Sequence, residues 1–316
     1  MKCVFLDSEE FVPSRALVKK LEECCEVKMF RGNPSSEEEA LERIGDAEIV
    51  VFAIMHISNA MLDRMSNVKI IQFIGTGVTT FLDIPYANSL GIQVLNIEGY
   101  GSNAVAEFTL GAIFNAVRFM SRGDRLVRSG IWDKAGYEGI EVEGATVGVV
   151  GTGNIGEIVA KKLSLLGAVV YGYDLIHKQN LINDYGVVYW DNLTEMASQC
   201  DILTVHLKVN SETMKMISRE VIHAMPDGSF LVNIARAEVV DTQALFEAVQ
   251  CGHIRSAAVD VYDQEPPTDC CMMKHENFML TPHVGFYSKK ASDNAILMVC
   301  DSVLSGLERS GSNGWR

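Results

Sequence analysis

The sequence predicts an α/β protein made of two parallel-sheet domains in series. Three observations predict it. Short apolar runs rich in Val and Ile alternate with polar helical stretches along most of the chain. The alternation occurs in two sets, separated by a long helical stretch. The second set opens on a glycine-rich turn, Gly151-Thr-Gly-Asn-Ile-Gly156, placed between a strand and a helix.

In the first set, strands are expected at Lys2–Asp7, Val27–Phe30, Glu48–Ile54, Val68–Gly75 and Ile92–Asn96. Continuous apolar runs suit parallel strands covered on both faces, so this half reads as a small, flavodoxin-like α/β domain. A long helix is expected over Asn103–Met120, capped by Ser102 or Asn103. Its apolar face (Val105, Phe108, Leu110, Ile113, Phe114, Val117) is broad, which makes it either buried or a contact between subunits. In the second set, strands are expected at Ala145–Val150, Ala168–Asp174, Val187–Trp190, Asp201–Leu207, Ser229–Ala235, Ala257–Val261 and Phe278–Thr281. Regular β-α-β repetition gives a doubly wound sheet. Ser288–Leu307 reads as a helix returning to the first domain, and Ser310–Arg316 as a frayed end. The expected division is 1–99 for the smaller domain, 100–284 for the larger, and 285–316 for the returning helix.

With 316 residues, 48% apolar and 22% charged, the chain can bury two cores. Its 41 acidic residues against 27 basic ones give a net charge of −14. That balance speaks against nucleic-acid and anionic-membrane partners, both of which need a basic footprint. No run reaches the ~18 apolar residues of a membrane span. Met1-Lys-Cys-Val-Phe-Leu-Asp7 is charged too soon for a signal peptide. The eight cysteines show no paired metal-ligand spacing and read as reduced thiols of a cytoplasmic protein, with no metal expected.

The strand Val147–Val150, the glycine turn and the helix after it form a Rossmann-type dinucleotide site. Gly151 permits the tight turn, Gly153 lets the backbone approach a pyrophosphate, and Gly156 lets helix and strand pack closely. Thr152, Asn154 and Ile155 complete the turn, whose N–H groups face the phosphates. Asp174 ends the next strand, where a carboxylate accepts from both adenosine ribose hydroxyls and repels a 2′-phosphate. NAD is therefore expected over NADP, with His177 and Lys178 nearby as a softening influence.

Three later segments carry chemistry: Asn233-Ile-Ala-Arg236, Glu265-Pro266 and Thr281-Pro-His283. A guanidinium clamps a carboxylate, and an imidazole beside a carboxylate moves a proton. Asn233 to Leu245 follows the pattern N-x-x-R-G-x-x-V-D-x-x-A-L with Ala237 in place of Gly, and Asp260 to Pro266 follows D-V-x-x-x-E-P. With these segments in order behind the glycine turn, the chain resembles the D-isomer-specific 2-hydroxyacid dehydrogenases from about residue 45 to 305.

The resemblance implies hydride transfer between NAD and a small 2-oxo or 2-hydroxy acid, with Arg236 holding the substrate carboxylate, His283 as general acid/base and Glu265 favouring its charged form. It adds His206, Leu207, Ile234, Ala235 and Asp260 to the cofactor residues, with Asp260 near the nicotinamide. It assigns Thr76 and Gly77 to a loop that holds the substrate carboxylate, and implies a homodimer through helix 103–120. Phe52 and Tyr287 are further substrate candidates: Phe52-Ala53 stand where the family often has Arg-Ser, and Phe286-Tyr287 follow the histidine. The missing Arg removes a clamp for a second anion, so a hydrophobic or modest-sized 2-oxo acid is expected over a phosphorylated one. Thr79-Thr80 and Lys208 also depart from the family pattern. Two alternatives stay open: a dehydrogenase acting on another substrate, such as formate or phosphite, and an NAD-sensing corepressor without turnover.

Overall fold

The structure, a computed structural model, describes residues 1–312 apart from Pro13 and Asp269. Residues 313–316 of the end expected to fray lie outside the described residues. The chain divides into two units: Met1–Gly101 with Tyr287–Arg316, and Ser102–Phe286. These break points fall two residues after the expected 99 and 284.

The first unit runs β1 (Lys2–Phe5), α1 (Lys19–Glu22), β2 (Glu26–Met29), α2 (Glu37–Ile44), β3 (Ile49–Phe52), α3 (Asn59–Arg64), β4 (Ile70–Phe73), α4 (Ile84–Ser89) and β5 (Gln93–Leu95). The strands form one parallel sheet in the order β2-β1-β3-β4-β5, which is the flavodoxin-like order. β3 and β4 are buried along their whole length, as continuous apolar runs require. Hydroxyl or carboxylate side chains of Ser36, Ser58 and Asp83 cap α2, α3 and α4 by accepting from the first-turn N–H groups.

The second unit runs α5 (Ser102–Arg118), α6 (Met120–Arg128), β6 (Thr146–Val150), α7 (Asn154–Leu165), β7 (Val169–Tyr173), α8 (Gln179–Tyr185), β8 (Val188–Tyr189), α9 (Leu193–Ala197), β9 (Ile202–Val205), α10 (Arg219–Ala224), β10 (Ser229–Asn233), α11 (Thr242–Gln250), β11 (Ile254–Val259) and β12 (Phe278–Leu280). Its seven strands are parallel in the order β12-β11-β10-β9-β6-β7-β8. The order reverses between β6 and β9, and ligands of doubly wound sheets bind at that switch point. α12 (Lys289–Ser312) then returns to the first unit. There Ala295, Ile296, Val299 and Val303 pack with Phe5, Ile49 and Val51.

The helix expected over 103–120 ends earlier. α5 stops at Arg118, Phe119 takes a left-handed conformation (φ 52°), and α6 starts afresh. The Asn115 side chain accepts from Ser121 N–H at 3.0 Å across the break, and the Phe119 ring is buried beside Phe230 and Tyr137. α5 spends Ala106, Ala112, Ile113, Ala116 and Val117 on a core shared with α7 and β10. No helix among the described residues is long and apolar enough to cross a membrane.

Candidate active site

The glycine turn leaves the end of β6 at the switch point. Gly151 has φ +87°, and a Cβ there would lie 2.8 Å from the His206 carbonyl oxygen. A Cβ on Gly156 would lie 1.8 Å from the Gly151 carbonyl oxygen, so only hydrogen fits between turn and helix. A Cβ on Gly153 would meet nothing within 4 Å. Gly153 is also the N-cap of α7 and no side chain caps that end. Bare N–H groups beside open space are the cradle a pyrophosphate needs, so these residues fit a dinucleotide.

The carboxylate of Asp174, just past β7, accepts from Thr152 N at 2.6 Å and from Ile176 N at 3.2 Å. Lys178 turns away from it, donating to Glu157 at 2.5 Å. The ammonium groups of Lys161 and Lys178 together hold the Glu157 carboxyl down at about 2. His206 follows β9. Its backbone N–H donates to Val150 O and its Nε2 lies 3.1 Å from Thr204 Oγ1, while Leu207 packs on the core beside it. Burial pushes the His206 imidazole down to about 3.

This shift sets a pH dependence. The unfolded histidine, near 6.5, takes up a proton that the folded one refuses, so stability is full above pH 6.5 and falls as pH drops toward 3. Between pH 7 and 5 the wild type is expected to lose about 1–2 kcal/mol more than His206→Gln in urea melts. Equal losses would remove the assignment.

β10, β11 and β12 are parallel neighbours, so their carboxyl ends share one edge. From that edge come Arg236, Asp260 and His283, three, one and three residues past their strands. Beyond β10, the Asn233 side chain staples the turn: Oδ1 accepts from Ala235 N at 3.0 Å and Nδ2 donates to Arg236 O at 2.8 Å. Ile234 is buried. Arg236 is exposed, and its guanidinium donates to Ala235 O at 2.8 Å while pairing with no carboxylate among the described residues. Ala237, where the resemblance suggests Gly, lies in a 3₁₀ turn without positive φ, so the departure costs no backbone strain.

His283 Nδ1 lies 2.7 Å from Glu265 Oε2, which leaves Nε2 as the nitrogen able to meet a substrate. Glu265 Oε1 accepts from Tyr262 N at 3.1 Å, so the carboxylate is aimed by its own loop. Tyr262 in turn donates to Thr281 O at 2.9 Å, and burial pushes its phenol up to about 12. His283 sits at φ 53°, a conformation seldom taken by non-glycine residues and met at functional sites.

Asp260 is 1% exposed, and its carboxylate accepts from Thr281 Oγ1 at 2.6 Å, Val284 N at 3.0 Å and Gly285 N at 2.8 Å. All three donors flank His283, so Asp260 fixes the histidine turn. Asn233, Tyr262 and Thr281 were not assigned from sequence. The one signal was their place inside the matching segments.

In the first unit, Phe52 corrects another expectation. Its ring is fully buried, 5.1 Å from the Phe73 ring and 6.2 Å from that of Phe81, so it offers no surface to a substrate. Beyond it, the Asp7 carboxylate accepts from the N–H groups of Ala53, Ile54 and Met55. Thr76 donates to Ile97 O at 3.4 Å, and Gly77 opens a 3₁₀ turn over 78–80. Tyr287 is half-exposed, edge-on to Phe11.

The family model of the D-isomer specific 2-hydroxyacid dehydrogenase NAD binding domain matches residues 110–285. The chain belongs to this family. It is 33% identical to D-3-phosphoglycerate dehydrogenase of Methanocaldococcus jannaschii over 90% of this chain and 54% of that one. It is 34% identical to glyoxylate reductase of Thermofilum pendens over 91% of this chain and 87% of the other. The solved structure of D-lactate dehydrogenase from Aquifex aeolicus, complexed with NAD and lactic acid, is 26% identical with a TM-score of 0.79, over 98% of this chain and 96% of that one. This dehydrogenase-family chain spans about half the length of the phosphoglycerate dehydrogenase it matches. Its second unit is the family's NAD-binding Rossmann domain.

Proposed function

We propose that the protein is an NAD-dependent oxidoreductase interconverting a 2-oxo acid and a D-2-hydroxy acid. The Glu265–His283 hydrogen bond, on the sheet edge that also presents the glycine turn, carries this reading. When bound, the nicotinamide supplies or takes the hydride. Arg236 holds the substrate carboxylate and steadies charge growing on the keto oxygen. In reduction His283 Nε2 gives its proton to that oxygen, and in oxidation the neutral ring takes it back. Glu265 at Nδ1 fixes the ring orientation and offsets the imidazolium charge. Asp174 accepts from the adenosine ribose.

The substrate side chain is uncharged and of modest size. Phe52-Ala53 stand where the resemblance suggests Arg-Ser, which leaves that position without a basic clamp for a second anion. NADH oxidation against pyruvate, glyoxylate, hydroxypyruvate, phenylpyruvate and 3-phosphohydroxypyruvate tests this. Turnover is expected with the uncharged side chains and is weakest with the phosphorylated acid. Clear NADH binding without turnover of any would move the reading to another substrate or to an NAD sensor.

A homodimer and a cytoplasmic setting belong to the same reading. All eight cysteines are free thiols, which suits a reducing compartment. α5 faces its own sheet, so the dimer contact extends to α6 and the segment after it, where Met120, Val127, Ile131 and Trp132 are exposed, Trp132 by 83%. Adjacent exposed apolar side chains mark an interaction surface. Trp132→Asp is expected to shift the sedimenting species from dimer to monomer with the fold intact. A wild-type monomer at micromolar concentration would end this part of the proposal.

A further inference from the structure

We propose that Thr152 and Tyr189 set the cofactor preference through a one-way hydrogen-bond chain that fills Oδ2 of Asp174 and leaves Oδ1 as its acceptor for the adenosine ribose. The inference rests on the NAD reading above and adds Tyr189 and the Thr152 hydroxyl, which that reading does not use.

Lys178 N donates to the Tyr189 hydroxyl at 3.2 Å, that hydroxyl lies 2.8 Å from Thr152 Oγ1, and Thr152 Oγ1 donates to Asp174 Oδ2 at 3.3 Å. A backbone N–H only donates and an ionised carboxylate only accepts. The two ends therefore fix every proton between them: Tyr189 accepts from Lys178 and donates to Thr152, which donates on to Asp174. Thr152 N adds a second donor to Oδ2 at 2.6 Å, and Ile176 N gives one to Oδ1 at 3.2 Å. With two lone pairs per oxygen, Oδ2 is full and Oδ1 keeps one site among the described residues. One hydroxyl donor fits that site, so Asp174 takes one of the two ribose hydroxyls and not both as its sequence position suggests.

Three donors on two oxygens also stop the carboxylate from rotating aside. A free aspartate could swing away to admit a 2′-phosphate, and this one is held. Tyr189 is itself wedged. Its ring stacks on His177 at 4.4 Å and 15°, and it crosses Gly172, where a Cβ would come within 2.9 Å of the ring. Thr152 is fully buried. The nearby ammonium that could otherwise welcome a phosphate, Lys178, is engaged by Glu157 at 2.5 Å and by Gly153 O at 3.4 Å. Tyr189 is thus a positioning residue. It touches no substrate and acts through Thr152 on Asp174.

The test is calorimetric binding of ADP-ribose and of its 2′-phosphorylated counterpart, with thermal melts as the folding check. The readout is the ratio of the two dissociation constants, which a merely structural role would not move. Tyr189→Phe and Thr152→Val should each shrink the preference for the unphosphorylated probe by about 3- to 10-fold, the worth of one hydrogen bond. Thr152→Ser, which keeps the hydroxyl, should retain it. Asp174→Ala should nearly abolish it. Loss in Asp174→Ala with no change in Tyr189→Phe and Thr152→Val would overturn the chain while leaving the ribose reading intact. No change in Asp174→Ala would overturn both. The two hydroxyl variants probe the chain from different links, so either alone decides the matter if the other fails to fold.

Discussion

Replacing His283 by Ala is expected to lower NADH-dependent reduction of the preferred 2-oxo acid by about 10²–10⁴-fold, the usual contribution of a positioned proton donor. NADH affinity should stay near wild type, because the glycine turn and Asp174 lie on other strand ends. The split between unchanged binding and lost turnover is the signature of a group that acts only in the chemical step. Glu265→Gln should cost less, about 10-fold. An amide oxygen can still accept from Nδ1–H, but the charge that offsets the imidazolium is gone. Stopped-flow single turnovers together with NADH titrations check both variants. A His283→Ala enzyme with near-normal turnover would remove the histidine from the mechanism.

The second large effect concerns the cofactor loop. Gly156→Ala is expected to destabilise the fold by about 3 kcal/mol and to abolish measurable NADH binding. Helix propensity alone would favour Ala by about 1 kcal/mol. Against that stands a Cβ at 1.8 Å from the Gly151 carbonyl oxygen and 2.9 Å from its carbon. Neither atom belongs to a flexible side chain, so the backbone of turn or helix must move. Gly153→Ala is the contrasting case. Its Cβ meets nothing within 4 Å, so the melting midpoint should hold while NADH binding weakens, the methyl group occupying space the pyrophosphate needs. Denaturant melts and fluorescence titrations separate the outcomes. Equal behaviour of the two variants would show that the turn is not read in this way.

What was legible in the sequence was whatever depended on one segment at a time. The apolar runs ending at Phe52, Val150, Val205 and Asn233 are strands because each is buried on both faces of a parallel sheet. The glycine turn and the Glu265 and His283 segments announce themselves by residue order. What escaped was set by residues far apart. β11 begins at Ile254, before the expected Ala257, because Ser256 Oγ donates to Asn277 O and Arg255 lies over the Phe119 ring. A local reading sees only polar side chains there. The break at Phe119 follows from a buried aromatic site contributed by Phe230 and Tyr137. Phe52 occupied the right position in the pattern and the wrong environment, since Phe73 and Phe81 close over it. The hold of Asp260 on the histidine turn was not legible, because two of its three partners are backbone N–H groups, which have no sequence signature.

The return of the chain to the first unit has a consequence for how the protein is made. The unit from Ser102 to Phe286 is continuous, so every strand it needs has left the ribosome before α12 is translated. The first unit is in the opposite position. Its own strands are synthesised first, yet Phe5, Ile49, Val51 and Ile70 wait for Ala295, Ile296, Val299 and Val303 to cover them. During synthesis, one face of the earliest sheet is therefore only partly covered, by residues such as Val18, Leu21 and Cys25, for as long as the second unit takes to appear. An open parallel sheet with an exposed apolar face is the kind of surface that chaperones hold. A nascent chain halted just short of Lys289 would carry a finished nucleotide-binding unit beside an unfinished neighbour.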